Sequence, residues 1–219
     1  EDLARQLGDL GLTVPMVSAY FDLVGDLDGS LETARRTLGY CLALDSPLLR
    51  VFTGGGNSAD ASIGVWRVVV EGLRQMCAMA AEEGVELALE THDGHLHDTT
   101  ASTLRLIRQV GMPNLVVNLD ICNLYVRGES TVAALKRLEP YVRILHLKNS
   151  LWEDGRWQSG VPLGEGAMDY SAFLRALAES RYGGYVSIEW FGPDPDAAAT
   201  SELAFLREAL GDRLEVRGE

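Results

Sequence analysis

The sequence predicts a parallel α/β domain closed as a (β/α)8-type barrel, on three observations. Six short apolar segments alternate with segments of helical periodicity, the pattern of repeated βα units. Four successive strands end on a side chain able to bind a metal: Glu90, Asp120, His146 and Glu189. The turn Gly54-Gly-Gly56 lacks the G-x-G-x-x-G spacing of a dinucleotide-binding open sheet. In a closed parallel barrel all the carboxyl ends of the strands meet at one mouth, where active sites form. Along the edge of an open sheet, at about 4.8 Å per strand, four ligands would lie too far apart to share one ion.

The elements follow in order. Leu3, Leu7 and Leu10 have helical spacing, and Gly11 supplies a stop. Residues 13–20 read as a strand weakened by Pro15. Residues 30–44 read as a helix capped by Ser30, with Leu31, Ala34, Leu38 and Cys41 on one face. A strand at 48–53 closes in the three glycines, and a helix over 65–83 turns Val69, Leu73, Met76, Cys77 and Ala80 inward before Gly84. The strand 86–92, the helix 99–110 stopped by Gly111-Met-Pro113, and the strand 114–120 come next. A helix over 130–138, a strand over 141–148, a long loop over 149–168, a helix over 170–180, a strand over 183–190 and a helix over 197–210 complete the chain.

The bulk properties narrow the function. With 219 residues, 47% of them hydrophobic, the chain has the size and composition of one soluble domain. No apolar run approaches the roughly 18 residues of a bilayer span. The first residues lack the basic and apolar regions of a secretory signal. Three cysteines without C-x-x-C spacing fit reduced thiols, so the expected location is the cytoplasm. The formal charge of -13 argues against nucleic acid or an anionic membrane as partner. It leaves room for a small anionic substrate met by one or two local cations, and leaves a homo-oligomer open.

The stretch 85–98 concentrates the chemistry. In an extended strand Glu90 and His92 point to the same side. A strand cap or a surface ion pair explains any one of Glu90, Asp120, His146 and Glu189; four in register point to a shared divalent ion. Three carboxylates and one imidazole suit Mn2+, the first choice, with Mg2+, Co2+ or Zn2+ as alternatives. Lys148 lies two residues past His146 on the same face, within reach of a substrate oxygen. Arg50 is unusual in a buried strand, and either an anionic substrate or an inward carboxylate explains it. Asn123 can hydrogen-bond a hydroxyl but cannot shuttle a proton. His95 and His97 either extend the metal site as H-x-x-H-x-H from His92 or, the favoured reading, sit on the loop and position the helix start near Asp98-Thr-Thr100. The Trp152 and Trp157 loop either covers the pocket or packs on the rim.

The series Leu87-Ala-Leu-Glu-Thr-His92, Val117-Asn-Leu-Asp120, Ile144-Leu-His-Leu-Lys148, Gly164-Glu-Gly-Ala-Met-Asp169 and Tyr182-Gly-Gly-Tyr-Val-Ser-Ile-Glu189 resembles the xylose isomerase-like TIM barrels. That superfamily includes sugar and sugar-phosphate isomerases and epimerases, inosose and 3-dehydroshikimate dehydratases, and endonuclease IV. The resemblance covers nearly the whole chain. It implies that Glu90, Asp120, His146 and Glu189 hold a catalytic metal. It also implies that the family's first strand, helix and second strand precede Glu1. On that reading, 1–219 is one N-terminally incomplete barrel domain with six of eight strands, where such barrels typically run to about 250 residues.

What the resemblance implies for activity is a metal-dependent isomerase or epimerase of a small sugar, sugar phosphate or polyol. In that reading an enediolate forms and Glu90 and Glu189 act as the acid–base pair. His92 matches the histidine that acts as base or substrate contact in the dehydratase branch, and Arg50, Lys148 and Asn123 contact substrate. A dehydratase of the inosose or 3-dehydroshikimate type is the second expectation. Glu90-x-His92 and the Arg50 and Lys148 cations keep it close, and Asn123, where many sugar epimerases have a histidine, weakens a ketose 3-epimerase mechanism. A catalytically inactive barrel with a binding or assembly role is the third. Endonuclease activity ranks below these, with only four histidines available for a trinuclear site.

Overall fold

The computed structural model describes residues 2–211. Contacts divide the chain into two compact units, one running up to Asn118 and the other from Leu119 onward. The first unit holds α1 (Asp2–Asp9), β1 (Val17–Ser18), α2 (Leu27–Ala43), β2 (Leu48–Val51), α3 (Ile63–Glu82), β3 (Glu86–Glu90), α4 (Thr100–Val110) and most of β4 (Leu115–Asp120). Its strands pair in parallel and in chain order, with Leu49 opposite Leu87 and Leu87 opposite Leu115.

Strand periodicity sorts the side chains of this sheet. Leu49, Val51, Leu87 and Leu89 join the apolar core with Leu73, Met76 and Cys77 of α3, Leu38 and Cys41 of α2, and Leu106 of α4. The alternate residues Arg50, Ala88 and Glu90 are buried outside that cluster, as period two requires. Both sets being buried explains why β2 to β4 read as nearly continuous apolar runs.

The second unit holds α5 (Ile121–Val126), α6 (Thr131–Leu138), β5 (Val142–Leu147), β6 (Asn149–Glu153), β7 (Arg156–Val161), α7 (Ser171–Glu179), β8 (Tyr185–Ile188) and α8 (Pro195–Leu210). Strands β5 and β8 pair in parallel, with His146 opposite Ser187. Strands β6 and β7 form an antiparallel hairpin. Among the described residues no helix is long and apolar enough to cross a membrane.

Several elements differ from expectation for local reasons. Helix α2 starts at Leu27 because Asp26 caps it, its carboxylate accepting the Gly29 N–H at 3.0 Å. The Ser30 hydroxyl instead accepts the Asp22 N–H at 3.0 Å. Strand β1 shrinks to two residues just after Pro15, which has no N–H for a ladder. Helix α1 buries none of its residues, and Leu3 and Leu10 are exposed.

The segment expected as a loop over 149–168 contains the hairpin. Its turn falls at Asp154-Gly155, both at positive φ (51° and 75°), the geometry that Asp-Gly favours between paired strands. Helix α5 was not anticipated. It is started by Asp120, whose carboxylate accepts the Asn123 N–H at 3.0 Å.

Candidate metal centre

The second unit brings three predicted ligands together. Asp120 closes β4, His146 lies in β5, and Glu189 follows β8 with its N–H donating to the Leu147 carbonyl at 2.9 Å. Their ligand atoms lie within 4.8 Å of one another. Asp120 and His146 are buried, and the Glu189 side chain is 23% exposed.

Because Lys148 shares the strand face of His146, its ammonium falls into the same cluster. Its Nζ donates to Glu189 Oε2 at 2.6 Å and lies 2.8 Å from Asp120 Oδ2. Burial on its own lowers the Lys148 pKa, but the two carboxylates outweigh burial and raise it. The two carboxylates thus favour the charged ammonium over the neutral amine. Lys148 is thus a buried counter-charge to these carboxylates.

The donor set fits a divalent cation. Two carboxylates and an imidazole offer hard oxygens and one nitrogen, a mixture that Mn2+, Zn2+ and related ions accept. Lys148 brings one positive charge to these two carboxylates. Asp120 has a second task, since Oδ1 caps α5 while Oδ2 faces Lys148.

In the first unit Glu90 closes β3 at 1% exposure and accepts from Arg50 NH1 at 3.0 Å. Of the two sequence explanations for Arg50, the ion pair with an inward carboxylate is the one observed. The guanidinium lies over the Phe52 and Tyr20 rings, 4.6 and 5.0 Å from their centroids.

His92 stands just past β3, its ring T-shaped against Phe52 with centroids 5.4 Å apart. Its Nδ1 is 2.7 Å from the Asp93 carbonyl and 3.1 Å from the Asp93 carboxylate. Both neighbours are acceptors, so Nδ1 is placed to donate to them.

His95 and His97 take structural places, as the loop reading expected. His95 Nδ1 accepts the Gly54 N–H at 3.0 Å, and burial pushes its pKa down to about 4. His97 is fully buried, and burial together with His95 pushes it down to about 3. The His97 carbonyl accepts from Thr103, Asp98 accepts from Ser102, and Thr99 caps α4, so this loop builds the start of that helix.

The Cys122 thiol is 3.6 Å from the Ser150 hydroxyl, and burial raises its pKa to about 11, which removes it as a nucleophile at neutral pH. Asn123 is buried at the start of α5.

Sequence reasoning missed two residues that shape this unit. Asn149 is 1% exposed and holds the loop after β7. Glu202 of α8 accepts the Leu163 N–H through both carboxylate oxygens, at 3.2 and 3.1 Å. A signal for Glu202 was present, because Ala198, Glu202 and Leu206 recur every four residues and all three are buried. Asn149 had none.

Comparison with known proteins places these features in context. A sequence profile described as "Xylose isomerase-like TIM barrel" matches residues 1–209. A 3-dehydroshikimate dehydratase of Bacillus anthracis is 28% identical over 216 residues, covering 91% of this chain and 76% of that protein. A fructoselysine 3-epimerase of Escherichia coli O157:H7 is 27% identical over 128 residues, which is 57% of this chain and 46% of that protein. The crystal structure of a probable 3-DHS dehydratase from Bacillus anthracis is similar in fold, with a TM-score of 0.84 and 27% identity over 94% of this chain and 81% of that one. The predicted barrel-type α/β fold is thus borne out, and the described residues supply six of its parallel strands.

Proposed function

The chain belongs to the xylose isomerase-like TIM barrel family, and on that premise we propose that it is a divalent-metal-dependent dehydratase. Its substrate in this reading is a small cyclic hydroxy acid of the 3-dehydroshikimate type. The observation that carries this reading over an isomerase is the reach of the similarity: 91% of this chain for the dehydratase, 57% for the epimerase. Asn123 supports the same choice, because an amide cannot relay a proton. The sequence alone ranked the isomerase first, and the comparisons reverse that order.

In this reading Asp120, His146 and Glu189 hold the ion, and Glu90 is its fourth ligand. When bound, the ion supplies Lewis acidity to the carbonyl and hydroxyl oxygens of the substrate. The chain's own side chains do the rest. His92 takes the proton next to the carbonyl on Nε2, its Nδ1 being turned to Asp93. The neighbouring hydroxyl then leaves, protonated, as water, which balances the elimination. Arg50 meets the substrate carboxylate with nitrogens other than the one bonded to Glu90, Lys148 meets a substrate oxygen, and Asn123 meets a hydroxyl.

Incubation with 3-dehydroshikimate, an inosose and a panel of ketoses, each with Mn2+, tests the reading. A dihydroxybenzoate chromophore from the first substrate is the expected result. Epimerised ketose without that chromophore transfers the site to the epimerase reading, which the similarity to fructoselysine 3-epimerase supports and in which Glu90 and Glu189 are the acid–base pair. Absence of both stoichiometric Mn2+ and any product refutes both and leaves a binding or assembly role.

A further inference from the structure

The groups that hold Lys148 in place come from a single loop and have no role in the chemistry above. The Asn149 amide nitrogen donates to the carbonyls of Leu163 at 2.7 Å and Met168 at 2.9 Å. Its Oδ1 accepts the N–H of Ser150 at 2.9 Å and of Met168 at 3.1 Å. Two donors and two lone pairs are all that a carboxamide has, and all four are used. One residue earlier, the buried Tyr170 hydroxyl donates to the Lys148 carbonyl at 2.7 Å.

The peptide joining Lys148 to Asn149 is therefore gripped from both ends by residues 163–170. The grip is close. A Cβ on Gly166 would overlap the Asn149 carboxamide carbon, so the loop can pass only as glycine. The loop is itself tied down, at Leu163 by Glu202 and at Ala167 by the Ser150 carbonyl at 2.8 Å and the Tyr125 hydroxyl at 2.9 Å.

We propose that Asn149, assisted by Tyr170, is a positioning residue that aims Lys148 at Asp120 and Glu189. A lysine side chain has four rotatable bonds, and its ammonium stays within 2.8 Å of two carboxylates only if its backbone direction is set. Asn149 touches neither carboxylate and acts through Lys148. The inference rests on the reading of Asp120 and Glu189 as metal ligands, and its test has one arm that does not.

The first arm is a double-mutant cycle read by Mn2+ affinity in calorimetry. Lys148→Met removes a competing cation and tightens Mn2+ binding by at least roughly ten-fold. Asn149→Ser lets the ammonium drift and tightens binding by roughly three-fold when Lys148 is present, but leaves affinity unchanged in the K148M background. An equal N149S effect in both backgrounds marks general loosening and overturns the proposal.

The second arm needs no metal. The chain has two lysines, the exposed Lys136 and the buried Lys148. Reductive methylation labels Lys136 and spares Lys148 in the wild type, and N149S raises the Lys148 rate relative to Lys136 by roughly ten-fold. An unchanged ratio overturns the proposal. Should N149S not fold, Tyr170→Phe, which loses a single hydroxyl, carries both arms with the same expected directions. If no variant binds Mn2+ but labelling rises, the metal reading fails and the positioning role stands.

Discussion

Replacing His97 by leucine should remove much of the acid sensitivity of the fold. His97 is fully buried, with its ring stacked on His95 at 5.3 Å and on Phe52 at 6.1 Å. Burial first and His95 second lower its pKa from 6.5 to about 3, and the neighbouring Glu90 offsets this only in part. Because the folded pKa is depressed, between pH 6.5 and 3 the unfolded chain takes up a proton that the folded chain refuses. Stability therefore falls as pH drops through that window and is unaffected above it.

The gap between the two pKa values corresponds to a limit of about 5 kcal/mol below pH 3, of which about 2 kcal/mol is reached at pH 5. Urea unfolding followed by far-UV circular dichroism at pH 7.5 and pH 5 is the assay. The wild-type midpoint should fall by about 1 M more than that of His97→Leu, from a typical dependence of 1–3 kcal/mol per molar urea. Equal losses in the two proteins would falsify the assignment of His97 as a buried neutral imidazole.

Other perturbations test separate parts of the structure. Arg50→Met takes away a counter-charge 3.0 Å from the buried Glu90 carboxylate and should cost about 3 kcal/mol in denaturant unfolding. A cost under about 0.5 kcal/mol would place that carboxylate in water. His92→Asn should retain Mn2+ affinity while lowering the rate of dihydroxybenzoate formation by about 10²–10⁴-fold, as loss of a general base does. A matching loss of Mn2+ affinity would make His92 a ligand instead. Burial pushes Cys41 and Cys122 up to about 11 and Cys77 up to about 12. Iodoacetamide at pH 8 should therefore alkylate all three only after unfolding, and fast modification of the native chain would contradict their burial.

Much of this protein is local enough to be legible in its residues. Alternation in Leu48-Leu-Arg-Val51 and in Glu86-Leu-Ala-Leu-Glu90 separates core-facing leucines and valine from Arg50 and Glu90 by strand geometry alone. Caps at Thr99 and Ser130 and the stop at Gly111 likewise need only neighbours in sequence. The Asp154-Gly155 turn was equally local, although the composition of 149–168 reads as loop.

Partnerships across the chain were legible only in part. Nothing near Lys148 in sequence says that Asp120 and Glu189, 41 residues on, will accept from its ammonium. Nor does it say that Asn149 will use all four of its hydrogen-bonding positions on residues up to 19 further along. Periodicity determines which way a side chain points. Only the tertiary structure decides what it meets, because buried charges and amides take whatever partners the packing brings within about 3 Å.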